Sequence, residues 1–501
     1  DYMEFGIWQN RRFYQRMKAF LLSIGVRVPI NASNLVAGAA DVYGHIDGDV
    51  MENNSYFNHP LFPLTPDGYN VPGPSDYVKV NPLKIQTGVG SMATTILSMG
   101  SIAAVEGKPF LLSEWNEYGL NPFHSTSFMH TVAYACLNDW DGLILYNYQT
   151  SEKENEPEDE ILSVFDAYND PSLICQWGMM AEVFLKGLVA PAKHQADFVY
   201  TQRDLKTLPP MMAAPVMYLP YIMKMRNVFL DGDSYSGRAD VAVNAGFVDS
   251  GKLEDAEHAV YYAWSDYVDA CRTGKNPKRL KNAAKNSREL SESVHISEHA
   301  LVFDKMRELA GSGDYEQFAS YLDQALKEWQ IIKADQGLTD GALVSDTGEL
   351  TFTPDAGKFR IQTEHFSYFS GVPDEQIKLN DIVSVAAKNE EITLALLERR
   401  QSENQKEYLL TALGDTGMDE TVMEAGPDLY GIPLTHVKMK GKLYINTLEG
   451  ELFVQAKEAS LEVLNQEGDI LRVLKGEADG DRQRFALSGE DASAQYRLII
   501  S

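Results

Sequence analysis

The chain has 501 residues, 44% of them hydrophobic and 23% charged, an ordinary globular composition with room for two or three domains. Its 72 acidic residues outnumber 44 basic ones, and the formal net charge of -28 repels phosphate backbones and anionic lipid, which sets nucleic acid and membrane surfaces aside as partners. Cys136, Cys175 and Cys271 are too few and too scattered for a disulfide framework or a thiolate metal site, and no apolar run is long enough to span a bilayer.

In chain order, the first signal is helical. Phe13, Met17, Phe20, Leu21 and Ile24 recur at helical spacing and predict an amphipathic helix over 9–24, closed by Gly25. "VRVPI" (26–30) follows as a strand, then the polar turn "NASN". "ADVYGHIDGD" (40–49) reads as a short strand that enters a long Pro- and Gly-rich loop at 59–82. "SMATTILSMGSIAAVEG" (91–107) reads as a helix and "KPFLLSE" (108–114) as a strand. A second helix, "STSFMHTVAYACLNDW" (125–140), leads to the strand "DGLILYNYQ" (141–149). The acidic loop "TSEKENEPEDE" (150–160) precedes a last helix at 171–189.

This alternation of strands and helices, with apolar rather than alternating strands, argues a parallel sheet covered by helices. The strands end in polar residues: Asn31, Ser33 and Asn34; His45, Asp47 and Asp49; Glu114 and Asn116; Asn147 and Gln149. The carboxyl ends of parallel strands are where such folds place their sites. Glu114 stands out, because a bare carboxylate at the end of the apolar run Phe110–Leu112 is costly to bury without a partner. Glu117 reads as peripheral. The spaced aspartates of "DGDVMEN" and "DGDSYSG" do not fill the calcium-loop template and leave only a weak signal for a structural cation.

Beyond about 200 the pattern changes. Residues 201–250 show no clear period, and 252–335 read as helical, with Phe318, Leu322, Ala325, Leu326 and Trp329 as one core-facing stripe. The basic run "KNPKRLKNAAKN" reads as a solvated face. After about 340 the chain becomes β-rich: Leu350, Phe352, Phe359 and Ile361 alternate about a Pro/Gly turn, which suggests an antiparallel sandwich.

The stretch "GKPFLLSEWNEYGLNPF" (107–123) resembles the seventh barrel strand of the clan A glycoside hydrolases, the retaining TIM-barrel enzymes, most closely the large bacterial members near families five and forty-two. In the same order, "YQRMKAFLLSIGVRVPINASN" is similar to their fifth strand and the helix before it. "DVYGHIDGDVMENNSYFNHP" is similar to their sixth strand, "ACLNDWDGLILYNYQ" to their eighth, and "VSDTGELTFTPDAGKFRIQTEHFSYFSG" to the start of the sandwich that follows. The resemblance implies an α/β fold in three parts: the C-terminal half of a (β/α)8 TIM barrel, strands five to eight, over 1–200; a mixed or helical segment over 201–340; and an accessory β-sandwich over 341–501. It also implies a glycoside hydrolase acting on a poly- or oligosaccharide by double displacement, with Glu114 as nucleophile. His45, Asn34, Trp115, Asn116, Tyr146 and Tyr148 are the implied substrate-binding residues, and no cofactor or catalytic metal is required.

The family's acid/base, a Glu after Asn at the end of the fourth strand, has no counterpart here, because the chain opens within what corresponds to the helix before strand five. The expectation is therefore a tightly associated N-terminal half-barrel fragment carrying that Glu, since half a barrel leaves open edges. Polysaccharide substrates favour an extracellular or periplasmic location. The rival expectation is an inactive carbohydrate-binding protein on the same scaffold, and a weaker one a purely structural protein with Glu114 in an ion pair.

Overall fold

The computed structural model describes residues 2–34, 38–56, 96–117, 124–149, 165–202 without 169, 205, 219–231, 239, 241–244, 324, 327, 342–353, 356–402, 405–418, 422–425, 435–438, and 443–501 without 492. The long loop at 59–82, the acidic loop at 150–160, the stripe from Phe318 to Trp329, the basic run and Cys271 lie outside these residues.

Helix α1 (Tyr2–Ser23) is longer than its periodicity predicts, and none of its residues is buried. It packs through its polar face. Arg11 pairs with Asp47 at 2.9 Å and donates to the Tyr43 hydroxyl, while Gln15 donates to Asp47 and Lys18 to the Asp47 carbonyl. The apolar stripe of Phe13, Met17, Phe20 and Ile24 faces solvent. The aspartates of "DGDVMEN" are thus held by α1: Asp49 pairs with Lys18 and accepts the Ile30 amide.

The strand expected at 26–30 appears as a single parallel bridge, Asn31 to Val50, backed by a 2.8 Å bond from the Asp49 amide to the Ile30 carbonyl. Pro29 offers no donor to a ladder. The strand expected at 40–49 is instead a short helix, α2 (Ala39–Gly44), and the strand follows it as β1 (Met51–Tyr56). Its alternation is carried by Met51, Asn53 and Ser55, buried against Glu52, Asn54 and Tyr56. Mostly polar residues carry that period, so a search for apolar runs passes over it.

After α3 (Ile96–Ser101), β2 (Phe110–Asn116), α4 (His124–Leu137) and β3 (Gly142–Leu145) complete a three-stranded parallel sheet in the order β1-β2-β3. All fourteen residues of α4 are buried, as its lack of Asp, Glu, Lys and Arg requires. Helix α5 (Pro171–Lys186) has Asp170 as N-cap, accepting the amides of Ser172 and Leu173, and Gly187 as a left-handed C-cap at φ 61°.

The region read as aperiodic holds a second parallel sheet, β4 (Gln195–Tyr200), β5 (Lys224–Phe229) and β6 (Val241–Asn244), in the order β5-β4-β6. Asn227 ties it to the first region, its amide donating to the carbonyls of Ser101, Ile102 and Ala104 at 2.8–2.9 Å.

From Leu343 the described residues form three antiparallel sheets, of ten, five and two strands. The central strands of the largest sheet are covered on both faces. Phe352, Phe359, Tyr368, Ala395 and Leu397 join the core shared with α4, while Phe369, Leu394, Leu396 and Leu410 face the five-stranded sheet. The protein is thus a mixed α/β chain with a C-terminal β-sandwich, and α4 is the layer between sandwich and parallel sheet. No helix among the described residues is long and apolar enough to cross a membrane.

Candidate active site

The site lies at the carboxyl ends of β1, β2 and β3. Register fixes its geometry. Asn53 pairs with Leu112 but Asn54 pairs with Glu114, so Ser113 is an extra residue in β2, a bulge. The bulge resets the alternation: Ser113 and Glu114 are both partly exposed, and the next two residues, Trp115 and Asn116, are buried. Bulges commonly re-aim a side chain in this way beside functional sites.

Two donors hold the Glu114 carboxylate. Asn54 donates its amide to Oε2, and the Ser113 hydroxyl donates to Asn54 Oδ1 at 3.1 Å, which fixes the amide so that its NH2 faces Glu114. The Tyr56 hydroxyl is the second donor. Burial, then the charge of Glu114, hold that phenol well above its ordinary pKa, so it stays a donor at any working pH. Neither Asn54 nor Tyr56 stands out in the sequence, because their place depends on the register of β1.

Aromatic rings line one side. Tyr56 meets Phe165 at 4.8 Å and Tyr146 edge-on at 6.4 Å. Tyr146 is tied to β2 by its amide, which bonds the Trp115 carbonyl at 3.0 Å, and the Tyr146–Asn147 peptide is cis. Tyr148 is 62% exposed, with Tyr168 edge-on at 6.2 Å, and both are set by backbone bonds between residues 147–148 and 165–168. Of the expected site residues, the structure places Glu114 and Tyr146 here, with Tyr148 exposed two residues beyond Tyr146.

The other four lie elsewhere or face elsewhere. Trp115 is 3% exposed and belongs to the core, because neighbours on a strand point to opposite faces and Glu114 takes the open one. Asn116 is a clamp: its amide donates to the carbonyls of Tyr146 (2.7 Å) and Phe165 (2.8 Å), and its oxygen accepts the Glu117 amide. His45 precedes β1, at the opposite end of the sheet from Glu114. It is buried against Tyr14, with Asp41 at 3.3 Å, and burial lowers its pKa. Asn34 is exposed, just past the Asn31 bridge that precedes β1, with no bond to Glu114.

Glu117 is not peripheral. It is 2% exposed, and burial pushes its carboxyl up to about 8 against the pull of Ser127 and His124. Among the described residues no group of three or more His, Cys, Asp or Glu is arranged to hold a metal ion. Compared with known proteins, the chain matches no family model, no curated protein and no solved structure.

Proposed function

We propose that the protein is a retaining glycoside hydrolase acting on a poly- or oligosaccharide, with Glu114 as nucleophile. The observation that carries this reading is Glu114 itself: a partly exposed carboxylate at the carboxyl end of a parallel strand, oriented by Asn54 and Tyr56 and flanked by tyrosine rings. Amide and phenol donors keep a carboxylate aimed, as nucleophilic attack needs. The flat faces of Tyr146 and Tyr148 suit the apolar faces of pyranose rings.

In this reading a Glu114 oxygen attacks the anomeric carbon, the glycosidic C–O bond breaks, and an acid protonates the departing oxygen. Water then cleaves the glycosyl ester and regenerates Glu114. The β1-β2-β3 sheet is then part of a (β/α)8 barrel, and its partner is an N-terminal half-barrel carrying the acid/base glutamate. The bare apolar stripe of α1 supports such a partner, since an exposed patch of that kind marks an interaction surface.

The test is sugar release from a polysaccharide panel by the full-length protein and its Glu114→Gln variant, which keeps shape and removes the charge. Loss of several orders of magnitude with an unchanged melting temperature is expected. Equal activity in the variant sinks the assignment. Sugar binding without turnover by the wild type would favour an inactive binding protein.

A further inference from the structure

Glu117 stands where a buried acid needs a reason. Its amide bonds Asn116, the clamp that joins β2 to the end of β3. Its carboxyl reaches the Ser127 hydroxyl on α4, and Oε2 has no hydrogen-bond partner. Ser127 in turn bonds the carbonyl of His124 at 3.2 Å. His124 opens α4, and its Nε2 lies 3.0 Å from Asp170 Oδ2 and 2.9 Å from the Ser172 hydroxyl at the head of α5. Its Nδ1 lies 3.4 Å from Thr416 of the sandwich, and Ser370 donates to the carbonyl of Thr126 at 2.9 Å. Among the described residues, the charged and titratable groups that face Glu117 are His124, paired with Asp170, and Glu114 along its own strand.

We infer that Glu117 is a positioning residue for Glu114: a buried side chain that anchors the end of β2 to the head of α4, and through His124 to the head of α5. This rests on the reading of Glu114 as nucleophile. The logic is electrostatic. A second carboxylate charge three residues away would add like-charge repulsion beside the nucleophile. Ionised, Glu117 would also leave a buried charge beside an oxygen with no donor. Burial instead keeps it protonated up to about pH 8, so it can donate to Ser127, and His124 stays committed to Asp170.

The sign of the pH effect follows. The unfolded chain releases this proton near 4.5 and the folded one holds it to about 8, so stability is lost as pH rises between those values. Replacing Glu117 by Gln keeps the shape and the neutrality but removes the titration.

Two measurements test this on the full-length protein. The first is melting temperature against pH for wild type and Glu117→Gln. The advantage of the variant should grow from pH 4.5 to about pH 8 and then level off, and a constant difference overturns the inference. The second is the pH profile of kcat/KM on whichever 4-nitrophenyl glycoside the wild type cleaves. Glu117→Gln should keep activity within about threefold at pH 6.5 and lose the alkaline fall, while Glu117→Ala should lower kcat more than it raises KM. A Glu117→Gln variant that loses most activity while still folded overturns the inference, because the carboxyl would then act in the reaction itself. If the wild type cleaves no glycoside, the reading of Glu114 fails, and the melting profile still decides whether Glu117 is a neutral anchor.

Discussion

The C-terminal sandwich and the N-terminal parallel sheet answer the same physical demand differently. In the central strands of the sandwich each apolar stripe has a cover, and the bare residues Ile470, Leu471 and Val473 are confined to its edge strand Ile470–Lys475. The strand Ile392–Gln401 sends Leu394 and Leu396 to the five-stranded sheet and Ala395 and Leu397 to the layer of α4. In the N-terminal region α1 turns its charged face inward and leaves its apolar one bare, and among the described residues β1 has only a one-residue bridge on its outer side. A region whose central stripes are covered is held together by its own contacts. A region whose largest stripe is bare is built for something that covers it. Stability should therefore reside in the sandwich and in α4, and the site end of the molecule should depend on what it binds.

The largest expected effect tests the covered side. Phe485 is fully buried between the two sheets, and Phe485→Ala should cost about 3–5 kcal/mol in urea unfolding, the usual range for emptying such a position. A loss under about 1 kcal/mol would mean that the sandwich core is loosely packed, and the contrast would fail.

The seam between the two regions comes next. His130 of α4 is buried in a cage of Tyr134, Tyr221, Phe352 and Phe359, with ring centroids at 4.7–5.8 Å. Burial lowers its pKa from 6.5 to about 3, so it is neutral in the folded protein. Below pH 6.5 the unfolded chain takes up a proton that the folded one refuses. Stability is thus complete above that value and declines as pH falls toward about 3, by on the order of 5 kcal/mol in all. His130→Phe should remove this share of the acid dependence, measured as melting temperature between about pH 4 and 7. An unchanged slope would show that the seam opens before the core does.

The sequence showed the sandwich more plainly than the site. Leu350, Phe352, Phe359 and Ile361 alternate at period two, and all four are fully buried, so local pattern and tertiary burial agree. Glu114 was legible for the opposite reason, as a carboxylate that breaks an apolar run. Its neighbours were not. Asn54 and Tyr56 reach it only through the bulge at Ser113, a register detail that no periodicity reports. Trp115 and Asn116 look like site residues in one dimension, and the pleat turns them into the core and a backbone clamp. His45 was misplaced because the apolar residues Val42 and Tyr43 belong to a helix that precedes the strand. The helix at 9–24 was read correctly as amphipathic, but periodicity cannot say which face finds a partner within the chain.

The smallest expected effect is the most telling for that face. Phe13 is 56% exposed, in line with Phe20 at 57%. Phe13→Ala should change the unfolding free energy of this chain by no more than about 0.5 kcal/mol, since little packing is lost. The double variant Phe13→Ser with Phe20→Ser should be equally mild for the chain alone, and, on the proposed reading of a half-barrel partner, should abolish co-elution with that half-barrel in size-exclusion chromatography. The two results must differ for the contrast to stand. If Phe13→Ala alone costs 2 kcal/mol or more (on the order of a buried truncation), the stripe is already covered within this chain in solution, and α1 is core. If the double variant still binds the half-barrel as tightly as wild type, the stripe is not the contact surface, and the polar face that holds Asp47 and Asp49 becomes the surface to test.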